Sequence, residues 1–119
     1  MENELHLQQG KDLFPQFYDY YRNKICFGNY QPGDKLPTYK ALSEKYSVSL
    51  TTIKKAYQLL EQDGYIKLTN KGSFVLEQSN TVIDTITEYI DKDIQTALHF
   101  GASRHEISQA IEHIFDKYC

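Results

Sequence analysis

The chain has 119 residues, of which 40% are hydrophobic and 24% are charged, and its formal net charge is −3. This length suits one globular domain with at most a small appendage, and the apolar fraction is large enough for a core, which excludes a disordered chain. Two cysteines do not make a disulfide framework, and neither an apolar run of about 18 residues nor a leader pattern is found. We therefore expect a cytoplasmic protein with no membrane segment.

The charge is distributed unevenly along the chain. Residues 38–72 include six basic and three acidic residues, whereas residues 81–119 include three basic and seven acidic residues. A basic middle and an acidic tail are typical of a DNA-reading module joined to an oligomerisation segment. An ordinary solvated surface would give the same distribution, so motifs must decide between the two interpretations.

Two helices are predicted before residue 48. The first begins at Phe14-Pro15, because proline tolerates the first helical turn, and it ends near Gly28. A turn follows at residues 31–34. Leu36-Pro37-Thr38 then starts a short second helix, since the residue before proline is extended and Thr38 can cap the helix, which ends around Tyr46-Ser47.

A third helix and a hairpin complete this part. Ser49 is the expected N-cap of the helix and Gly64 ends it. Two short β-rich runs, residues 65–69 and 73–77, flank Asn70-Lys71-Gly72, which reads as a hairpin turn with glycine where a positive φ is needed. The apolar residues of the helix recur at the spacing of one core-facing stripe: Ile53, Ala56, Tyr57 and Leu60.

The order of three helices and a hairpin predicts an α+β fold, a winged helix-turn-helix over residues 1–78. Residues 79–119 are predicted to be a separate segment of two helices interrupted at Gly101, with a capping box at Ser103 and Glu106. Two such helices cannot enclose both of their apolar stripes, so they predict a homodimer, with packing against the chain's own winged helix as the alternative. The residues expected at the dimer interface are Ile86, Ile90, Ile94, Ile107, Ile111, Ile114 and Phe115.

The third helix has the side chains of a DNA reader. At 100° per residue, Thr51, Lys55 and Gln58 point away from the apolar stripe, and Thr52 and Lys54 lie on its flanks. The first turn of a helix has unpaired N–H groups and a partial positive charge, both of which suit a phosphate. Hydroxyl, lysine and glutamine side chains can contact phosphates or base edges in the major groove. A solvated helix start would look similar, but the order of cap, stripe, turn and hairpin favours DNA binding.

Several motifs between residues 14 and 77 have a joint spacing that is highly specific. They include Gly33-Asp34-Lys35-Leu36-Pro37, Val48-Ser49, Thr51-Thr52-Ile53-Lys54-Lys55-Ala56, Asp63-Gly64-Tyr65-Ile66 and Gly72-Ser73-Phe74-Val75. In this order they resemble the GntR family of bacterial transcription regulators. The acidic two-helix tail is similar to the short YtrA-like branch, in which a dimerising helical pair replaces a large effector-binding domain.

The resemblance implies a dimeric, sequence-specific regulator, usually a repressor, that binds an operator in double-stranded DNA. Two-fold protein symmetry predicts an inverted-repeat operator, and no cofactor is expected. Two positions depart from the family pattern. Leu50 replaces a frequent arginine and can contact only apolar groups such as a thymine methyl, and Tyr39-Lys40 replaces an acid–arginine pair, so that Lys40 retains charge without bidentate geometry. The residues expected to contact DNA are Thr38, Lys40, Ser49, Leu50, Thr51, Thr52, Lys54, Lys55, Gln58, Lys71 and Gly72.

No residue pattern indicates catalysis or metal binding. His105 lies six residues after His99, seven before Glu112 and eight before His113, and none of these spacings is the four that would place two ligands on one helix face. We therefore interpret these four side chains as surface residues. No nucleophile–base pair or phosphate-binding glycine loop is found, and an enzyme is not expected. Two alternatives stay open, a plasmid- or replication-type DNA-binding regulator and a winged-helix module that binds proteins. The operator sequence and any small-molecule effector are left undetermined.

Overall fold

The fold has five helices and one two-stranded antiparallel sheet, as seen in a computed structural model that describes residues 5–119. The predicted α+β fold and the order of its elements are confirmed. The chain divides into two compact units, Met1–Val82 and Ile83–Cys119. The assignment of two domains at 1–78 and 79–119 stays a prediction. The elements in chain order are α1 (Leu13–Cys26), α2 (Tyr39–Tyr46), α3 (Leu50–Gln62), β1 (Ile66–Thr69), β2 (Gly72–Val75), α4 (Val82–His99) and α5 (Arg104–Tyr118).

Side-chain caps fix where α2 and α3 begin. The Thr38 hydroxyl oxygen accepts a hydrogen bond from the Ala41 amide (3.1 Å), and the Ser49 hydroxyl oxygen accepts one from the Thr52 amide (3.2 Å). Both caps are those predicted from the sequence. In each, the side-chain oxygen satisfies an amide that has no partner inside its helix. Ser47, between the two helices, adopts a left-handed conformation with φ 54°, which the sequence did not reveal.

The hairpin pairs Ile66 with Val75 and Thr69 with Gly72. Compared with the predicted runs 65–69 and 73–77, β1 starts one residue later, and β2 starts one residue earlier and ends two residues earlier. Tyr65 continues the hairpin pairing on one side only: its carbonyl accepts from the Leu76 amide (2.9 Å), but its amide donates to the Leu60 carbonyl (2.9 Å) and completes the end of α3. Gly72 has φ 137°, so the expected positive φ at this glycine is confirmed.

One core lies beneath α1, α2, α3 and the hairpin. The predicted stripe of α3 is buried completely, and α1 contributes a second stripe that packs against it. Each large apolar side chain that is fully removed from water stabilises the fold by about 1.5–3 kcal/mol. The buried apolar residues are Phe17, Tyr21, Ile25, Leu36, Leu42, Val48, Ile53, Ala56, Tyr57, Leu60, Ile66 and Val75.

Tyr57 joins three parts of this core. Its ring centroid lies 6.0 Å from that of Tyr21 on α1 and 5.2 Å from that of Tyr39 on α2. Its hydroxyl donates a 2.7 Å hydrogen bond to the carbonyl of Pro37, directly before α2. Burial raises the pKa of the Tyr57 hydroxyl far above its ordinary value, so the hydroxyl remains a donor.

The second unit contains the predicted helical pair. The Ser103 hydroxyl accepts from the Glu106 amide (3.1 Å) and the Glu106 carboxylate accepts from the Ser103 amide (2.9 Å), so the predicted capping box is confirmed. These hydrogen bonds hold the pKa of the Glu106 carboxyl below its ordinary value. No residue of Arg104–Tyr118 is buried.

Replacing Tyr57 with phenylalanine tests the junction between α3 and α2. The variant keeps the ring but leaves the Pro37 carbonyl without its donor, so we expect the free energy of unfolding to fall by about 1–2 kcal/mol. Tyr21→Phe is the matched control, since that ring is equally buried but its hydroxyl forms no hydrogen bond with residues 5–119. Equal losses in the two variants, measured by urea unfolding, would contradict the role given to the hydroxyl.

Replacing Ser49 with alanine tests the cap of α3. Removing the oxygen that accepts from the Thr52 amide should lower the free energy of unfolding by about 1 kcal/mol. Thr51→Ala changes an exposed neighbour that is not the cap and should alter stability by less than about 0.5 kcal/mol. A Ser49→Ala variant as stable as Thr51→Ala would show that the cap contributes nothing measurable.

Candidate DNA-binding surface

The outward face of α3 is polar and exposed. Thr51, Lys54, Lys55 and Gln58 are exposed there, and Leu50, at the start of the helix, is 45% exposed. The opposite face of the same helix is completely buried. The helix therefore presents a hydroxyl, an amide and two lysine side chains to solvent, on the face that the sequence predicts to be exposed.

Thr38, Ser49 and Thr52 lie at the starts of α2 and α3, and the hydroxyl of each already has a partner within the protein. Thr38 and Ser49 cap α2 and α3, and the Ser49 and Thr52 hydroxyl oxygens lie 2.8 Å apart. A hydroxyl that accepts from an amide still has a proton to donate. A DNA contact by these three residues stays a prediction, and Thr38 and Ser49 have a capping role without DNA.

Two lysines of α3 lie over aromatic rings. The Lys54 ammonium nitrogen is 5.7 Å from the centroid of the Tyr39 ring, and that of Lys55 is 4.0 Å from the centroid of the Phe14 ring. Such cation–π contacts hold an ammonium group at a preferred place. The two cations thereby lie toward different neighbouring elements, Lys54 toward the start of α2 and Lys55 toward the start of α1.

Lys11 was not predicted as a functional residue, but it lines a shallow cavity together with Asp12, Lys55 and the exposed start of α3. Lys11 precedes α1 and lies far from α3 along the chain, so no local pattern indicates that the two lysines share a cavity. Lys40, which the sequence did predict, is exposed on α2. Because Asp12 lines the same cavity, Lys11 adds a cation near Lys55 without raising the net charge of the cavity.

The turn of the hairpin is held by Thr69. Its hydroxyl oxygen accepts from the Lys71 amide (3.2 Å) and donates to the Gly72 carbonyl (2.8 Å). Lys71 is exposed at the tip of the turn. The wing thus presents a lysine on a defined turn, beside the start of α2.

The part of the chain that the structure describes offers neither a metal centre nor a membrane span. Within residues 5–119 no histidine, cysteine and carboxylate side chains gather in a group of three that could hold a metal ion. No helix of that range is long and apolar enough to cross a bilayer. What the surface can do chemically is bind an anionic polymer through lysine, hydroxyl and amide groups.

The winged helix-turn-helix is the part of the chain that matches a known family. Residues 15–76 match the sequence pattern described as "Bacterial regulatory proteins, gntR family". The HTH-type transcriptional repressor YtrA of Bacillus subtilis is 29% identical over 98 residues, which are 76% of this chain and 75% of that protein. The mannosyl-D-glycerate transport/metabolism system repressor MngR of Escherichia coli is 36% identical over 84 residues, 69% of this chain. The chain spans only 35% of MngR and less than half of several other curated regulators that it matches.

Solved structures agree with the fold. A GntR family transcriptional regulator from Listeria monocytogenes superposes with a TM-score of 0.75 at 24% identity, over 90% of this chain and 98% of that one. The DNA-binding domain of AraR, solved in complex with operator ORX1, has a TM-score of 0.53 at 27% identity, over 60% of this chain and 94% of that one.

The family pattern covers more than half of the chain, and the winged helix-turn-helix observed here is the fold of solved regulators of that kind. The family consists of DNA-binding regulators and not of enzymes. The chain belongs to the GntR family of bacterial regulatory proteins.

Proposed function

We propose that this chain is a DNA-binding transcription repressor that inserts α3 into the major groove of its operator. The observation that carries the proposal is the division of α3 into one wholly buried face and one face of exposed threonine, lysine and glutamine side chains. A helix of this kind can enter the groove without uncovering the core. Repression follows when the bound protein occupies DNA that the transcription machinery needs.

The contacts divide into two classes by chemistry. Lys40, Lys54, Lys55 and Lys71 are point charges and neutralise phosphates on either side of the groove. Thr51, Gln58 and Leu50 read base edges, the first two by hydrogen bonds and the leucine by contact with a thymine methyl. The wing tip at Lys71-Gly72 contacts the flanking backbone.

The repressor acts as a homodimer through α4 and α5. In the single chain, apolar side chains of these helices lie in water: Ile86 is 41% exposed, Ile90 43%, Ile114 51% and Phe115 54%. The remaining predicted interface residues, Ile94, Ile107 and Ile111, are half-buried. A second copy would cover these side chains in a symmetric interface, and a two-fold dimer is matched by an operator with inverted half-sites. We place the protein in the bacterial cytoplasm, where that DNA is.

Salt dependence of binding tests the division of contacts. If a dimer neutralises about six to eight phosphates, log K should fall against log[salt] with a slope of roughly −5 to −7. Lys54→Ala should flatten this slope by about 2 in the dimer and weaken binding to all duplexes alike, whereas Gln58→Ala should change the preference among duplexes and leave the slope unchanged. The measurement is fluorescence anisotropy on a duplex that the wild-type protein selects from a random pool, and on its scrambled version.

Lys92→Ala, in α4, is the control for the loss of one positive charge outside the proposed surface. A slope near zero for the wild type, or no selected duplex at all, would instead favour a winged-helix module that binds proteins. Loss of sequence preference in Lys54→Ala at an unchanged slope would show that Lys54 contacts bases rather than phosphates.

Placing a carboxylate in the apolar stripe of α4 tests the dimer. Ile90→Asp should weaken association by several kcal/mol, about 100-fold or more in the dissociation constant, because the charge would have to be buried at the interface. Gln95→Asp adds the same charge on the polar side of α4 and should leave association almost unchanged. The measurement is sedimentation velocity across a concentration series. A wild-type chain that is monomeric at tens of micromolar, or equal association of both variants, would refute the interface.

A further inference from the structure

Lys35 belongs to the wing, although it lies outside the hairpin in sequence. Its backbone forms an isolated antiparallel bridge with Phe74 on β2. The hydrogen bonds on either side, from the Leu36 amide to the Ser73 carbonyl (2.9 Å) and from the Val75 amide to the Asp34 carbonyl (2.8 Å), extend this pairing. The segment before α2 therefore acts as a short third strand, and it fixes the backbone position of Lys35 relative to the hairpin.

The side chain of Lys35 lies across Gly72. A Cβ atom added at Gly72 would come 2.3 Å from Cε of Lys35 and 3.2 Å from its Nζ, distances that the present arrangement excludes. The absence of a side chain at Gly72 is what allows the lysine stem to reach the turn. Because Thr69 already ties the turn through the Lys71 amide and the Gly72 carbonyl, the stem rests on a defined surface.

Lys35 lines a cleft together with a second lysine. A cleft of about 240 Å³ lies between the wing and the start of α2, and Lys35, Thr38, Asn70 and Lys71 line it. None of the residues lining the cleft is acidic, and no carboxylate within residues 5–119 forms an ion pair with Lys35. Two ammonium groups beside hydroxyl and amide donors, with no acid among them, suit an anion that bears several oxygens.

We propose that Lys35 is both a positioning residue for the wing and a phosphate-binding residue. Its methylene stem braces the turn at Gly72. Its ammonium and that of Lys71 hold one DNA phosphate between the wing and α2. The inference rests on the proposed function and adds a contact that the sequence analysis did not include. The two roles use different parts of the side chain, the methylene stem and the ammonium, so substitutions can separate them.

Three substitutions at Lys35 separate the roles. Lys35→Met keeps most of the stem without the charge, Lys35→Arg keeps the charge, and Lys35→Ala removes both. Lys92→Met, in α4, is the matched control. Each full-length variant is titrated with salt on the duplex selected by the wild type and on an unrelated duplex of equal length, and amide exchange of the turn residues Asn70, Lys71 and Gly72 is followed without DNA.

The phosphate contact predicts that Lys35→Met and Lys35→Ala flatten the salt slope by about 2 in the dimer, equally on both duplexes, while Lys35→Arg and Lys92→Met keep the wild-type slope. The bracing role predicts faster exchange of the turn amides in Lys35→Ala and wild-type exchange in Lys35→Met.

A wild-type slope in Lys35→Met would overturn the phosphate contact, and wild-type exchange in Lys35→Ala would overturn the bracing role. Failure of the wild type itself to bind DNA would refute the proposed function, and it is distinguished from either outcome because the wild type is measured first.

Discussion

The hydrogen bond from the buried Tyr57 hydroxyl to the Pro37 carbonyl connects the core to the segment before α2, next to the candidate DNA-binding surface. It ties the middle of α3 to the residue that precedes the cap of α2, while the same ring packs edge-on against Tyr21 of α1. These contacts join the two helices of the helix-turn-helix to each other and to α1. Since Tyr39 packs on Tyr57 and lies beneath the Lys54 ammonium, the same cluster also determines where that cation sits. The position of a candidate DNA contact thus depends on a side chain that DNA would never reach.

Local rules predicted most of the winged helix. The caps at Thr38 and Ser49 and the buried stripe of α3 depend on residues within one or two helical turns, so composition and spacing are enough to find them. The stripe also predicted which face of α3 would be exposed, and with it Thr51 and Gln58. Likewise the capping box of α5 is contained in four consecutive residues.

What the sequence could not predict depends on contacts between distant segments. The pairing of Lys35 with Phe74 depends on how the chain returns after α3, and the side chain of Lys35 reaches Gly72 only because of that pairing. Lys11 shares a cavity with Lys55 for a similar reason. The shorter hairpin has a local cause that competes with strand propensity, since the Tyr65 amide is used to end α3. A local hydrogen bond at the end of a helix overrides β propensity at this position.

The aromatic rings beneath Lys54 and Lys55 have a thermodynamic consequence. Immobilising a long flexible side chain against a partner costs about 0.5–1.5 kcal/mol of conformational entropy. A lysine whose ammonium already rests over Tyr39 or Phe14 has lost part of that freedom in the free protein, so less remains to be lost when a phosphate holds it. Part of the conformational entropy that binding would remove is therefore already lost when the protein folds. Phe14 and Tyr39 would in this way strengthen binding to DNA without touching it.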